Sequence, residues 1–193
     1  LLIHLAPLKG VGIDISGNMI KLASKKHPKL KFIKQDSNRI ELNETFEYII
    51  LSDLIGNLVD IQNTFQQLHK ISDTSTRIII NYYNYFWNPF LILAEKINLK
   101  MPQPIQNWLS PNDVKNFLEL SDLEIIKESK YLLIPIDIPF ISNFVNKYVA
   151  RLPLIRKFCF VNYLVIRRKP NITIDNEYSI SIIIPARNEA GNI

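Results

Sequence analysis

Three aspartates stand at the ends of three short apolar runs. Asp14 closes the run VGID, Asp36 closes FIKQD, and Asp53 follows EYIILS. Runs of this kind, separated by helical patterns, are typical of a parallel sheet, whose strands end at a common edge. An acid at that edge can accept hydrogen bonds from both hydroxyls of a ribose, and a second acid can accept one from an exocyclic adenine amine. The three blocks together therefore indicate a nucleoside-binding edge.

Each aspartate also has an interpretation that involves no ligand. Asp14 precedes the sequence ISGNM and can cap the helix that is predicted to begin there. Asp36 can form a turn with the residues that follow it. For Asp53 the two interpretations are evenly balanced. One acid alone has little specificity, so the binding hypothesis depends on the spacing of all three blocks.

The elements that must position these acids alternate between β-branched runs and helical patterns. The sequence predicts strands at 10–16, 31–37, 47–53, 76–83, 123–134 and 158–169, and helices at 17–27, 59–71, 110–120 and 140–152. The strand at 47–53 is continuously apolar, which favours burial on both faces. Residues 84–108 predict a short helix within a long irregular connection, and the first residues of the chain continue an apolar helical pattern. The last two strands are predicted to form a hairpin-like pair.

Composition and isolated reactive residues exclude several kinds of site. The chain has 193 residues, 47% hydrophobic and 21% charged, which is typical of a globular domain. A single cysteine, Cys159, excludes an internal disulfide, lies in an apolar run and fits the reducing cytosol. His4, His27 and His69 are isolated on predicted helices, so neither a metal site nor a catalytic histidine is expected. No apolar run reaches the roughly 18 residues of a membrane-spanning helix.

A basic and apolar segment precedes the end of the chain. No acidic residue lies between Asp137 and Asp175, whereas that interval contains Lys147, Arg151, Arg156, Lys157, Arg167, Arg168 and Lys169. One interpretation is a solvated face around core elements; the other is contact with anionic lipid headgroups. Because Phe140, Phe144 and Tyr148 recur every four residues, the second interpretation predicts peripheral membrane contact through 140–157. Nucleic acid is not expected, since no binding motif accompanies the charge.

The blocks VGIDISGNMIKLA, FIKQDS and FEYIILSDLIGNL resemble the second, third and fourth strand regions of class I S-adenosylmethionine-dependent methyltransferases of the type 11 group. The resemblance covers about residues 1–169 and implies a Rossmann-like α/β sheet with helices on both faces. It implies S-adenosylmethionine as the cofactor. The residues that it assigns to the cofactor are Asp14 at the ribose, Ile15 and Met19 near the adenosine, Asp36 and Ser37 at the adenine, and Ser52, Asp53 and Leu54 along its floor.

The chain departs from that family at its beginning. The family's first strand and glycine-rich loop would come before Leu1, and Gly10 and Gly12 do not replace the loop because they belong to the start of the next strand. We therefore expect a domain truncated at its N-terminus that alone folds poorly, binds the cofactor weakly and is inactive.

The methyl acceptor and the catalytic residues are less well defined. No general base is assigned, since transfer from a sulfonium depends mainly on proximity and orientation. Asp53 is the candidate for that role. A small or lipid-linked acceptor is expected beside the aromatic residues that follow the strand at 76–83, namely Tyr82, Tyr83, Tyr85, Phe86 and Trp87. Core packing accounts equally well for about half of them.

The last residues, IIIPARNEAGNI, resemble the opening of family 2 glycosyltransferases, particularly polyprenyl-phosphate sugar transferases. The resemblance implies the first strand of a GT-A domain at 179–193, after a polar linker at 170–178. It assigns Ala186, Arg187 and Glu189 to the neighbourhood of a nucleotide sugar. The acidic metal-binding motif of that family is not present in this sequence. A lone strand and turn closing the first domain is the alternative.

Three functions compete. The first is a methyltransferase fused to a glycosyltransferase and acting in the cytosol. The second is a non-catalytic methyltransferase-like module attached to a polyprenyl-phosphate-type glycosyltransferase. The third is a nicotinamide-dependent oxidoreductase, because an acid after the second strand is common to both cofactor classes. We rank it last, since the Asp36 and LSDLIGNL blocks fit methyltransferases better.

Overall fold

Strands and helices alternate along the chain, as the sequence predicts. The computed structural model describes residues 1–99, 107–136 and 138–170. Its strands and α-helices are β1 (Val11–Asp14), α1 (Gly17–Lys26), β2 (Lys31–Lys34), β3 (Tyr48–Ser52), α2 (Ile61–Leu68), β4 (Arg77–Tyr83), α3 (Asn88–Lys96), α4 (Pro111–Leu120), β5 (Leu123–Tyr131), α5 (Ile141–Lys147) and β6 (Val161–Arg168). Short 3₁₀ turns occupy Leu2–Leu5, Ile55–Asn57, Tyr85–Trp87, Val149–Arg151 and Ile155–Phe158.

The strands form two hydrogen-bonded sheets. β1 and β2 are parallel and make a two-stranded sheet, while the other four strands have the order β3-β4-β6-β5. β3 and β4 are parallel, and β6 is antiparallel to both of its neighbours. The predicted hairpin-like pair of β5 and β6 is therefore confirmed, with β6 placed between β4 and β5.

The main core lies between the four-stranded sheet and the helices α2 and α4. Because side chains alternate across a strand, β4 and β6 each present every second residue to this core. The fully buried members from the sheet and the two helices are Phe65, Val114, Leu118, Ile78, Ile80, Leu123, Leu164 and Ile166. Burying each such side chain contributes about 1.5–3 kcal/mol before conformational entropy is subtracted.

The opposite face of the sheet is less buried than the face that packs on α2 and α4. Ile79, Asn81 and Tyr83 of β4 are only half-buried there. The prediction that β3 is buried on both faces is wrong, since Tyr48 is 66% exposed. β3 pairs only with β4 among the described strands, so it has the exposure of an edge strand.

The apolar pattern at the start of the chain does not form an α-helix. It makes a 3₁₀ turn, Leu2–Leu5, whose C-cap Ala6 has a left-handed φ of 44°. Pro7 follows directly, and a proline disfavours helical geometry at the residue before it. The helical prediction there is therefore wrong, and Leu1, Ile3 and Leu5 are exposed.

Helix α4 begins at the sequence Ser-Pro-Asn-Asp of residues 110–113, which is typical of a helix start. The Asp113 backbone N–H donates to the Ser110 hydroxyl oxygen at 3.2 Å, and the Ser110 backbone N–H donates to the Asp113 carboxylate at 2.8 Å. This capping box satisfies two backbone donors that the helix itself cannot. The hydrogen bonds from Ser110 lower the pKa of Asp113 below its ordinary value of 3.8.

This capping box predicts a pH dependence. A carboxyl group with a depressed folded pKa contributes stability that is complete above its unfolded pKa and is lost as the pH falls through the folded pKa. We expect the contribution of Asp113 to be constant above a pH of about 4 and to disappear below it. Carbon-detected NMR titration of the Asp113 carboxyl checks this, and a midpoint at or above the ordinary value would contradict the capping box.

Candidate functional site

The end of β1 presents an acid with part of its hydrogen-bonding capacity unused. Asp14 is half-buried, and its Oδ1 accepts a hydrogen bond from the backbone N–H of Ser16 at 2.7 Å. Ser16, rather than Asp14, caps helix α1 and accepts from the N–H of Met19. The helix-cap interpretation of Asp14 is therefore wrong. Within the described residues, the second carboxylate oxygen of Asp14 has no hydrogen-bond partner.

Two apolar side chains close to Asp14 in sequence lie in solvent. Ile15 is 67% exposed and Met19 is 55% exposed. An acceptor pair next to apolar surface suits a nucleoside, which combines a ribose diol with flat aromatic faces. Asp14, Ile15 and Met19 thus form one group at the end of β1.

The end of β2 lies beside that of β1. Asp14 is in register with Lys34, and the N–H of Gln35 donates to the Asp14 carbonyl oxygen at 3.1 Å. Asp36 follows directly, and its Oδ1 accepts from the N–H of Asn38 at 2.9 Å. The turn interpretation of Asp36 is thereby confirmed. Asp36 remains exposed and the neighbouring Ser37 is half-buried, so their adenine role stays a prediction.

The turn after β2 is hydrogen-bonded to helix α2. The Asn63 side-chain amide donates to the Asn38 carbonyl oxygen at 3.0 Å, and the Thr64 hydroxyl donates to Asn38 Oδ1 at 2.9 Å. Because α2 belongs to the main core, these bonds fix the ends of the small sheet relative to the large one.

The end of β3 contains a strained, polar residue. Asp53 has φ 50°, a left-handed conformation that aspartate tolerates better than most residues. Its Oδ1 accepts from the Asn81 amide at 2.6 Å, and its carbonyl oxygen accepts from the Asn57 amide at 3.0 Å. Partial burial raises the pKa of Asp53. Its neighbours differ, since Ser52 is exposed whereas Leu54 packs against the main core.

A small cleft adjoins Asp53. Its volume is about 20 Å³, enough for roughly one water molecule, and its lining is Asp53, Ile55, Gly56, Asn57, Tyr82, Tyr83, Asn107, Trp108 and Leu109. Asn107 holds one wall of the cleft in place. Its backbone N–H donates to the Gly56 carbonyl oxygen, and its side-chain amide donates to the Leu58 carbonyl oxygen. Desolvation, with a smaller effect of the Asp53 charge, raises the pKa of Tyr83. The cleft therefore combines aromatic walls with a carboxylate and amides.

Three asparagines at this edge were missed by sequence reasoning. Asn57, Asn81 and Asn107 hold Asp53 and the walls of the cleft in place. Asn81 could have been found from the sequence, because it is a polar residue inside the apolar run of β4. The roles of Asn57 and Asn107 depend on contacts that become visible only in the folded chain.

The predicted aromatic and histidine residues have mixed outcomes. Tyr82 is buried in the main core, whereas Tyr83 stacks on Phe160 with ring centroids 4.8 Å apart and reaches the cleft. Tyr85 and Phe86 are exposed. The His69 ring lies 2.6 Å from the Ser121 carbonyl oxygen and joins the end of α2 to the end of α4.

The glycines near β1 serve packing. A Cβ on Gly12 would lie 2.7 Å from the Phe32 ring on the neighbouring strand, and one on Gly10 would lie 2.9 Å from Leu30. Gly12 lies in β1 and Gly10 directly precedes it, so the prediction that both belong to the start of the strand is confirmed.

Some predicted positions lie outside the described residues. These are the linker after residue 170 and the segment 179–193 with Ala186, Arg187 and Glu189. Across the described ranges, no three His, Cys, Asp or Glu side chains group closely enough to hold a metal ion. None of the helices in those ranges has both the length and the apolar character to span a membrane.

Solved structures with a similar fold include methyltransferases. An S-adenosylmethionine-dependent methyltransferase from Mesorhizobium loti has a TM-score of 0.60 at 13% identity, with 83% of this chain and 80% of that chain covered. A magnesium protoporphyrin IX methyltransferase from Synechocystis with bound SAH has a TM-score of 0.54 at 15% identity, covering 86% of this chain and 66% of its own. At such identities the likeness concerns the fold alone.

Sequence comparison gives the family. A curated demethylmenaquinone methyltransferase from Streptomyces griseus is 24% identical over 104 residues, which are 53% of this chain and 45% of the relative. The chain thus spans less than half the length of that relative. The family model described as a methyltransferase domain matches residues 1–128, more than half of the chain. This protein therefore belongs to the methyltransferase-domain family.

Proposed function

We propose that the protein binds S-adenosylmethionine and transfers its methyl group to a small or lipid-linked acceptor. The observation that carries this proposal is the group at the end of β1. Asp14 keeps one carboxylate oxygen available beside the exposed Ile15 and Met19, in a chain of the methyltransferase-domain family. The fold relative from Synechocystis with bound SAH supports the same cofactor class.

The described residues suit the adenosine part of this cofactor. The Asp14 carboxylate would accept from the ribose hydroxyls, and Ile15 and Met19 would cover the adenine faces. Asp36 and Ser37 would meet the exocyclic amine, since their turn follows the strand paired with β1. Among the described residues no glycine-rich loop offers a cradle for the methionine part.

The surface around Asp53, at the mouth of the small cleft, is the proposed acceptor site. When bound, S-adenosylmethionine supplies an electrophilic methyl group, so the protein's task is mainly to position the acceptor. The Asn81 amide holds the Asp53 carboxylate at 2.6 Å, and Asp53 would accept the proton that the acceptor loses. Tyr82, Tyr83 and Trp108 would provide aromatic walls for it. The name of the Streptomyces relative, demethylmenaquinone methyltransferase, is consistent with a lipid-linked acceptor.

Calorimetric titration tests the cofactor class. We expect S-adenosylhomocysteine (SAH) to bind saturably to the full-length protein and NAD⁺ not to bind. Binding of NAD⁺ in place of SAH would favour the oxidoreductase. Binding of neither would favour the non-catalytic module. Micromolar SAH binding by residues 1–193 alone would contradict the expectation that this segment binds weakly.

The segment 179–193 supports a second proposed function, glycosyl transfer from a nucleotide sugar. The support is the sequence IIIPARNEAGNI alone, with Arg187 and Glu189 as the proposed nucleotide contacts. The full-length protein should then move radiolabelled sugar from a nucleotide sugar to polyprenyl phosphate. Arg187→Ala should reduce that transfer and leave SAH binding unchanged. No transfer from UDP- or GDP-sugars would contradict the proposal.

A further inference from the structure

A continuous surface joins helix α3 to the region between β5 and β6. The Phe86 ring packs on Phe158 with centroids 4.9 Å apart, and the Trp87 indole N–H donates to the Phe158 carbonyl oxygen at 2.8 Å. The turn Ile155–Phe158 contacts the turn Val149–Arg151, which in turn contacts α5. We call residues 85–96 and 138–158 together the basic-apolar surface.

Large apolar side chains of this surface lie in solvent. Phe140 is 92% exposed and Leu154 is 76% exposed. The other exposed members include Phe86, Phe90, Leu93, Ile141, Phe144, Tyr148, Leu152 and Phe158. Phe140 also has φ 64°, a conformation that a bulky residue rarely adopts. An exposed apolar patch of this kind usually marks a site of interaction.

The part of this surface at 138–158 contains only positive charges, whereas the part at 85–96 contains one acid and one lysine, Glu95 and Lys96. Lys147, Arg151, Arg156 and Lys157 are exposed, and in the described ranges none of them forms an ion pair with a carboxylate. The sequence contains no Asp or Glu from 138 to 174. The cations therefore remain available to an anionic partner.

A cleft at one edge of the surface gathers three cations. Its volume is about 300 Å³, and it is lined by Glu128, Lys130, Pro153, Arg156 and Lys157. Arg156 is oriented there by its donation to the Glu128 carbonyl oxygen at 3.3 Å. Although Glu128 contributes one negative charge, the lining has a net positive charge, which suits a phosphate group.

We propose that the basic-apolar surface docks on an anionic lipid bilayer. The aromatic and aliphatic side chains would enter the headgroup boundary, and the cations would meet the lipid phosphates. A second copy of the chain fits less well, because a twofold contact would place these cations opposite one another. Nucleic acid would leave the aliphatic Ile141, Leu152 and Leu154 uncovered. The proposal stands apart from the methyl-transfer proposal, since no residue of the cofactor group belongs to this surface.

Vesicle flotation of the full-length protein tests the docking. We expect binding to vesicles of phosphatidylcholine mixed with phosphatidylglycerol, weaker binding to phosphatidylcholine alone, and partial loss in about 0.5 M salt. Each basic residue near an anionic membrane contributes about fivefold in affinity, so Arg151→Glu/Arg156→Glu/Lys157→Glu should lower the partition coefficient by about 100-fold. Phe140→Ser/Leu154→Ser should weaken binding to both vesicle types.

A matched variant controls for net charge. Lys25→Glu/Lys26→Glu/Lys29→Glu makes the same change in charge on exposed residues at the end of α1 and just beyond it, and should bind the anionic vesicles far better than the first triple variant. Circular dichroism would confirm that all variants fold. Failure of the wild-type protein to float, or equal loss in the two triple variants, would overturn the proposal. So would an apolar variant that abolishes a dimer in sedimentation experiments and leaves flotation unchanged.

Discussion

Replacing Asp14 by Asn is expected to weaken SAH binding by the full-length protein about 10- to 100-fold, measured by isothermal titration calorimetry. The carboxylate offers two charged acceptors, of which one already serves the Ser16 N–H at 2.7 Å. Asparagine keeps one acceptor oxygen and replaces the other by a donor. It can therefore retain the local bond to Ser16 but cannot accept from both ribose hydroxyls.

Asp60→Asn is the matched control for this experiment. Asp60 is an exposed aspartate whose Oδ1 accepts from the N–H of Asn63 at 2.8 Å at the start of α2. Its local role thus parallels that of Asp14, but it belongs to neither proposed site. We expect Asp60→Asn to bind SAH like the wild type. If the two variants bind equally well, Asp14 has only its local structural role, and the adenosine assignment is wrong.

The order and approximate bounds of the strands and helices could be predicted from the sequence. Runs rich in β-branched and aromatic residues indicated β4 and β6. The Ser110-Pro111-Asp113 pattern fixed the start of α4, because its bonds are local. The placement of β6 between β4 and β5 could not be predicted from local sequence patterns. It depends on pairing between strands far apart in sequence, including an irregularity between Ile125 and Lys127.

The residues of the candidate site show the same difference between local patterns, which can be predicted, and long-range contacts, which cannot. Asp14 was recognisable because its position at the end of β1 is a property of neighbouring residues. The support of Asp53 by Asn81 spans 28 residues, and Asn107 reaches back to the carbonyl oxygen of Leu58 across 49. Neither spacing matches a local pattern. Short polar residues that support a site by hydrogen bonds from another strand or loop therefore cannot be predicted from the sequence. This holds even where the acid that they support is predicted correctly.

Phe65→Ala is expected to lower the free energy of unfolding by about 3–5 kcal/mol, the largest single effect on stability that we predict. The helical spacing of the sequence allows either Phe65 or Gln66 of helix α2 to face the core. The structure places Phe65 at 0% exposure in the main core and leaves Gln66 exposed. Removing the ring would leave a cavity between α2 and the sheet, which the close packing around it cannot fill.

Urea denaturation measures this effect, and two further variants make the result interpretable. Phe65→Leu retains most of the volume and should cost only about 1–1.5 kcal/mol, which keeps the comparison available if the alanine variant does not fold. Phe140→Ala deletes the same ring from a position that is 92% exposed, and should change stability by less than about 0.5 kcal/mol. Equal losses at positions 65 and 140 would mean that Phe65 is not a core residue. In that case α2 would not anchor the turn that presents Asp36.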